Sequence, residues 1–255
     1  MKRNLSLAAK WNIVSELYHN DIELEAYVNF LADIGAKSIL DCACGTGFPS
    51  LELAKHGFKV TASDNDFESL NILKSKMNNE KISFPIYHIS WENLDVNKLE
   101  NQFDAVICLG SSITYFDSWD ENVRMLSSNH HSIIKYLQGF KKVTKKGGHV
   151  LIGICKLYKK SKDVDPIPFP PKRIDGLIYN MQWTLHYNWK SKEKTWNCLV
   201  ASNSNSQEYE FSVRLISHLY DKSELIAYCE AVFNRVYAID ICPSPYHDII
   251  LVCET

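Results

Sequence analysis

The sequence lacks any stretch of about 20 uninterrupted apolar residues, the length that a bilayer-spanning helix requires, and so predicts no membrane span. It also lacks a charge surplus: 28 basic residues stand against 30 acidic ones, a formal charge of −2. Binding a phosphate backbone takes clustered Lys and Arg, so nucleic acid is not an expected partner. Residues 1–11 hold two early basic residues but no apolar segment of the export type. Cys42 and Cys44 form a C-x-C pair without a second Cys or His pair at zinc spacing, so no metal site is expected. Low complexity is absent too, and 45% hydrophobic with 23% charged residues excludes a disordered chain. A chain of 255 residues buries about three quarters of its unfolded surface. The near-neutral charge points toward a globular enzyme of small molecules, with monomer and homo-oligomer both open. Of the eight cysteines, Cys42, Cys108, Cys155 and Cys253 lie in or beside apolar runs and read as small buried hydrophobes. A reducing cytoplasm is the expected setting.

Apolar residues at helical spacing predict two helices within 7–34, broken near Asn20 and Asp21. An alternation of strands and helices follows. Strands are expected at 38–42, 59–63, 83–88, 105–109 and 149–154, and helices at 51–55, 67–77 and 121–143. Strands separated by helices call for a mostly parallel sheet with right-handed crossovers. The proline-rich run Asp165-Pro166-Ile167-Pro168-Phe169-Pro170-Pro171 suits neither a regular helix nor a central strand. Three β-rich stretches, 177–187, 195–201 and 208–219, predict an antiparallel meander, with turns at 189–192 and 202–205. Asp221 caps a last helix through Ala231, and strands near 235–240 and 248–253 close the chain. The Lys159-Lys160-Ser161-Lys162 run reads as a solvated loop.

The chemistry concentrates in Asp41-Cys42-Ala43-Cys44-Gly45-Thr46-Gly47-Phe48, straight after a strand and before a helix. Two glycines one residue apart let the backbone turn tightly and approach a ligand, and amides at the helix start can receive an anion. Asp64 ends the next strand, where an acid binds ribose hydroxyls in dinucleotide folds. The third glycine of the dinucleotide fingerprint is missing, since Ser50 occupies its place, and no G-x-x-x-x-G-K run exists. An NAD-dependent oxidoreductase and a P-loop nucleotide site are thereby disfavoured.

The pattern D-x-A-x-G-T-G resembles motif I of class I S-adenosylmethionine (SAM) methyltransferases. Val60-Thr61-Ala62-Ser63-Asp64 resembles their ribose-binding strand, and Ser90-Trp91 sits where that family reads the adenine ring. The run from Phe103 to Ser112 resembles the strand that ends under the methyl group, and Lys146-Gly147-Gly148 the turn before their fifth strand. The resemblance implies a Rossmann-like α/β fold with a mostly parallel seven-stranded sheet, an inserted antiparallel three-stranded meander and N-terminal helices. It divides the chain into an N-terminal helical cap (1–36), a SAM-binding core (37–160), a substrate-covering insertion (161–220) and a C-terminal part of the core (221–255). Within the superfamily the chain is most similar to glycine and glycine/sarcosine N-methyltransferases, through the run from Ala105 to Gly110, the serines after it and the meander. Two departures stand out: Ser111 replaces an asparagine of the animal glycine enzymes, and no arginine occurs among residues 11–34.

These resemblances imply SAM contacts by Asp41, Ala43, Gly45, Thr46, Gly47, Asp64, Asn65, Ser90, Trp91 and Leu109. Asp41 either caps the glycine turn or holds the SAM ammonium. On the acceptor side, Arg214 resembles the meander arginine that holds a substrate carboxylate, and Tyr18 a tyrosine that reaches the active site. Arg214, His218 and Tyr220 share one strand face by period two, with His218 a candidate proton acceptor. Tyr18, Tyr115 and Tyr187 suit an aromatic cage for an amine. The carbonyl of Gly110 or Leu109 is a candidate acceptor for the amine N–H. The expected reaction is methyl transfer from SAM to the nitrogen of a small polar amine or amino acid, yielding S-adenosylhomocysteine. Rival readings are a carboxylate-free guanidine or specialised-metabolite amine as acceptor, a small-molecule O-methyltransferase, an RNA methyltransferase and a non-catalytic SAM-binding regulator.

Overall fold

The computed structural model describes residues 5–99, 102–124, 132–156, 163–174, 176–202, 210–242 and 248–255. Two compact units emerge, neither of them a contiguous stretch. The smaller comprises residues 1–19, 114–128 and 157–220, and the larger 20–113, 129–156 and 221–255. The two expected N-terminal helices are present, broken where Asn20 predicts, as α1 (Leu7–Tyr18) and α2 (Asp21–Asp33). They belong to different units. Each begins at a polar cap: Ser6 Oγ accepts from Ala9 N, and Asn20 Oδ1 accepts from Glu23 N at 3.0 Å.

The larger unit alternates strand and helix: β1 (Ser38–Asp41), α3 (Ser50–Lys55), β2 (Lys59–Asp64), α4 (Phe67–Glu80), β3 (Ile86–His88), α5 (Val96–Leu99) and β4 (Phe103–Cys108). It continues with α6 (Ser132–Val143) and β5 (Thr144–Cys155), then α7 (Lys222–Glu230), β10 (Arg235–Ile239) and β11 (Asp248–Glu254). The seven strands lie in the order β10-β11-β5-β4-β1-β2-β3. β1 to β5 pair in parallel, and β11 runs antiparallel to both β5 and β10. Ile39, Leu40, Ala105, Val106, Ile107 and Cys108 are fully buried, as a strand covered on both faces requires. Chain order reverses between β4 and β1, so the sheet's switch point lies at their carboxyl ends, where open α/β sheets bind ligands. The expected helix over 121–143 is shorter. Residues 121–122 form a turn, α6 starts at Ser132, and 125–131 lie outside the described residues.

The smaller unit contains β6 (Val164–Ile174), β7 (Leu177–Asn188), β8 (Glu193–Ser202) and β9 (Phe211–His218), antiparallel in that order. Four strands stand where the sequence predicts a three-stranded meander. The addition is the proline-rich segment, which pairs along the edge of β7 with two register shifts. Proline offers no N–H to a ladder, and an edge strand is the place that tolerates the loss. The turn expected at 202–205, the start of the stretch at 208–219 and the lysine run at 159–162 fall on residues 203–209 and 157–162, outside those described. One face of this sheet carries Trp183–Cys198–Val213 and Leu185–Trp196–Leu215 in cross-strand register. Val14 and Leu17 of α1 pack into that cluster, with Trp11 and Tyr18 beside them.

All eight cysteines are free thiols, and seven are buried. Among the described residues no helix is long and apolar enough to cross a membrane, and no cluster could hold a metal ion.

Candidate active site

The loop after β1 is held together by its own carboxylates. Asp41, 1% exposed, accepts a hydrogen bond from Ser50 Oγ at 2.7 Å and one from the Ala43 amide at 3.3 Å. Asp64, at the end of β2, accepts from the Gly45 amide at 2.8 Å and the Asp66 amide at 2.9 Å. A carboxylate has roughly four lone-pair positions, so Asp64 keeps capacity for a further donor. Thr46 is buried inside the loop. Gly47 has φ +121°, and a Cβ there would lie 2.8 Å from a Leu51 methyl and 2.9 Å from a Leu73 methyl. Backbone conformation and packing onto α3 and α4 therefore both demand glycine at this position.

The electrostatics follow from burial. Desolvation pushes the Asp41 carboxyl up to about 7, against the lowering effect of Ser50 Oγ and the Ala43 amide, with the Asp64 charge adding a smaller upward push. Desolvation also raises Asp64, opposed by its backbone donors. Among the described residues no Lys, Arg or His lies within salt-bridge distance of either acid. Two shielded carboxylates at a sheet's switch point favour a ligand that brings positive charge and hydroxyl donors. They disfavour one that brings phosphate. The expected anion site at the helix start is not what forms. α3 has only six residues, its N-cap is Pro49, and the Ala43 and Gly45 amides point to Asp41 and Asp64.

Trp91 opens a short 3-10 turn, Trp91–Asn93, preceded by Ser90. Its indole Nε1 donates to the Cys42 carbonyl at 2.5 Å, and its ring meets Tyr136 and Phe140 of α6 edge-on, each at 5.5 Å. Trp91 thus ties the glycine loop to α6. Ser90 Oγ accepts from Asn93 Nδ2. Asn65 is exposed, and its carbonyl pairs with His88 Nε2. The Leu109 carbonyl accepts from both the amide and the hydroxyl of Ser112, at 3.2 and 2.7 Å. Both its lone pairs are filled, so Leu109 is not available to align an amine. Gly110 (φ 65°) and Ser111 (φ 57°) follow in the left-handed region, a strain that gathers at functional sites.

Of the residues expected on the acceptor side, Tyr18, Tyr115, Tyr187, Arg214, His218 and Tyr220 lie in the smaller unit, and Leu109 and Gly110 in the larger. Tyr18 packs against Trp183 at 4.6 Å and Phe169 at 5.9 Å. Tyr115 meets Trp119 edge-on and lies 5.6 Å from Lys194 Nζ. His218 is buried, its Nε2 2.9 Å from Asp117 Oδ1 and its ring stacked on Phe116 at 4.5 Å. Arg214 is exposed, on the sheet face opposite Val213 and Leu215. Arg214 and His218 share a face of β9 as expected, but His218 is enclosed while Arg214 is exposed. Sequence reasoning missed Ser50, Asp117 and Lys194. Only Lys194 left a readable signal, a charge at a core-facing position among Trp196, Cys198 and Val200.

The order of the sheet and the carboxylate-lined glycine loop make a Rossmann-like α/β core that resembles that of class I SAM-dependent methyltransferases. Residues 39–148 match the methyltransferase domain family. The chain is 31% identical over 128 residues to a glycine/sarcosine N-methyltransferase of Aphanothece halophytica, covering 50% of this chain and 48% of that protein. It spans less than half the length of the curated relatives it matches. Likeness of fold extends further. SAM-bound CalS10, an amino pentose methyltransferase from Micromonospora echinaspora, superposes with TM-score 0.72 at 14% identity over 100% of both chains. The sugar N-methyltransferase KedS8 from Streptoalloteichus sp. gives 0.69 at 17% identity, over 95% of this chain and 92% of that one.

Proposed function

We propose that this protein binds SAM at the loop after β1 and transfers its methyl group to the nitrogen of a small polar amine or amino acid. The observation that carries the reading is the pair of shielded carboxylates, Asp41 and Asp64, on a glycine loop at the switch point of the sheet. Asp41 offers its charge to the ammonium of a bound amino-acid moiety, Asp64 offers lone pairs to ribose hydroxyls, and Trp91 holds the loop that presents them. Resemblance to glycine/sarcosine N-methyltransferases supports nitrogen as the acceptor atom.

SAM, when bound, supplies an already activated methyl group. The chain's own residues then have three tasks: to hold a neutral amine in line, to exclude water and to receive the proton the nitrogen loses. Orientation alone contributes on the order of 7–11 kcal/mol at best. Gly110 offers a backbone carbonyl to the amine. Eight free thiols fit a reducing, cytoplasmic setting. A second reading, a carboxylate-free amine as acceptor, is favoured by the whole-chain likeness to the amino pentose enzyme.

Calorimetric titration with SAM, followed by mass spectrometry after incubation with a pooled amine panel, tests the proposal. A product one methylene heavier, with matching S-adenosylhomocysteine, is expected. Asp64→Ala should weaken SAM binding about 10- to 100-fold, as expected for lost hydrogen bonds to a charged group. Undiminished affinity in the folded variant would refute the assignment of the cofactor site.

A further inference from the structure

Resemblance assigns Trp91 to the adenine ring, but the structure gives it another task. Its side chain is seated on one face of α6. The rings of Tyr136 and Phe140 meet it edge-on, and a Cβ on Gly139 would come within 3.0 Å of the Trp91 carbonyl. Positions i, i+3 and i+4 of a helix share a face, so α6 is shaped to receive this turn. From that seat the indole Nε1 donates to the Cys42 carbonyl at 2.5 Å. The same peptide unit carries the Ala43 amide, which donates to Asp41 Oδ1 at 3.3 Å. A peptide is planar and almost always trans, which sets its carbonyl and its N–H on opposite sides. A donor that holds the carbonyl therefore also aims the amide. All of these residues belong to the larger unit.

We propose that Trp91 is a positioning residue of the cofactor loop: its indole N–H fixes the peptide between Cys42 and Ala43, and with it a donor that Asp41 receives. Ser50 Oγ supplies another from α3. The titratable groups facing Asp41 are Asp64 from the end of β2 and the thiols of Cys42 and Cys44, with Cys108 of β4 against Cys42. Among the described residues no Lys, Arg or His lies within salt-bridge distance of it. Without the Ala43 donor, Asp41 holds its proton to higher pH. The consequence for cofactor binding rests on the SAM reading, whereas the consequence for the loop is present in the unliganded protein.

Two substitutions test this without ligand. Trp91→Phe keeps a ring in the α6 seat and removes the donor, while Phe140→Leu loosens the seat and keeps the donor. Carbon-13 NMR of the aspartate carboxyls, with Asp41→Asn to identify the signal, gives the midpoint of Asp41. Trp91→Phe should raise it by roughly half to one pH unit and speed exchange of the Ala43 amide about tenfold. Phe140→Leu should lower the melting temperature and leave both in place. If Trp91→Phe does not fold, benzothienylalanine at position 91 decides, since it keeps the indole shape and puts sulfur in place of the N–H. An unmoved midpoint, or an equal shift in Phe140→Leu, overturns the proposal. Calorimetry with SAM then separates a positioning role from an adenine contact. The affinity of Trp91→Phe should fall about three- to tenfold near pH 7 and converge on the wild-type value as pH rises past the two midpoints. A loss that is equal at every pH would mark an adenine contact and overturn the positioning role. Absence of SAM binding by the wild-type chain would instead overturn the methyltransferase reading and leave the NMR titration to decide the role of Trp91.

Discussion

At the scale of single residues, Asp41 decides how the candidate site responds to pH. Its carboxyl is pushed up to about 7 by burial, so in the unliganded protein it is half protonated near neutrality. A raised carboxylate contributes fully to stability below its unfolded value near 3.8 and loses that contribution as pH rises through about 7. A cationic ligand reverses the preference, because it stabilises the ionised form. SAM affinity should therefore fall by up to about tenfold per pH unit below 7, with proton release on binding at neutral pH. Calorimetry in buffers of different ionisation enthalpy measures both. Ser50→Ala removes the donor that opposes this rise. It should move the midpoint of the pH dependence upward at an unfolding cost of about 1–3 kcal/mol. A midpoint that stays in place would mean that Ser50 does not set the charge of Asp41.

Among elements, local rules and packing act together. Gly47 joins the β1 loop to α3 and α4 through close contact with Leu51 and Leu73. Gly47→Ala should cost about 1–3 kcal/mol, as overpacking at a strained backbone does. Gly147→Ala meets nothing within 4 Å and should cost less, only the strain of φ +76°. Chemical denaturation of the two variants makes the comparison. At the other end of the sheet, Asp104 on β4 accepts from the Lys37 and Ser38 amides at 3.0 and 2.8 Å and pairs with Lys145 at 2.7 Å. Burial pushes its carboxyl up, but Lys145 and the amides outweigh that and hold it well below the usual carboxylate range. A lowered carboxylate stabilises above its unfolded value and loses that contribution as pH falls through the folded one. Asp104→Ala should therefore destabilise by about 1–3 kcal/mol at neutral pH. The gap to wild type should shrink as pH drops below about 4, which melting curves across pH will show.

For the whole molecule, the consequence is that the smaller unit is built from three separate stretches of chain. Val14 and Leu17 of α1 are buried against residues of β7, β8 and β9. Replacing 161–220 with a short linker should therefore strip α1 of its partner. The expected outcome is exposed apolar surface, read as increased binding of a hydrophobic dye and a tendency to aggregate. A soluble deletion that binds no dye would show that α1 packs without the sheet.

Much of this was legible from order and spacing. The break between α1 and α2 was marked by Asn20, α7 by its capping Asp221, and the seven-stranded sheet by apolar runs separated by helical ones. Asp41, Gly45, Gly47 and Asp64 are brought together by local chain geometry, since each lies in or at the end of an element next to the same turn. The fourth strand β6 was hidden because proline excludes a central strand without excluding an edge. That Ser50 holds Asp41, that Asp117 holds His218, and that Lys194 is buried while Arg214 is exposed were decided by the tertiary structure alone. Period two sets Arg214 out of step with its apolar neighbours Val213 and Leu215, and Lys194 in step with Trp196, Cys198 and Val200. Which face of a sheet becomes its interior depends on what packs there, and here α1 makes that choice.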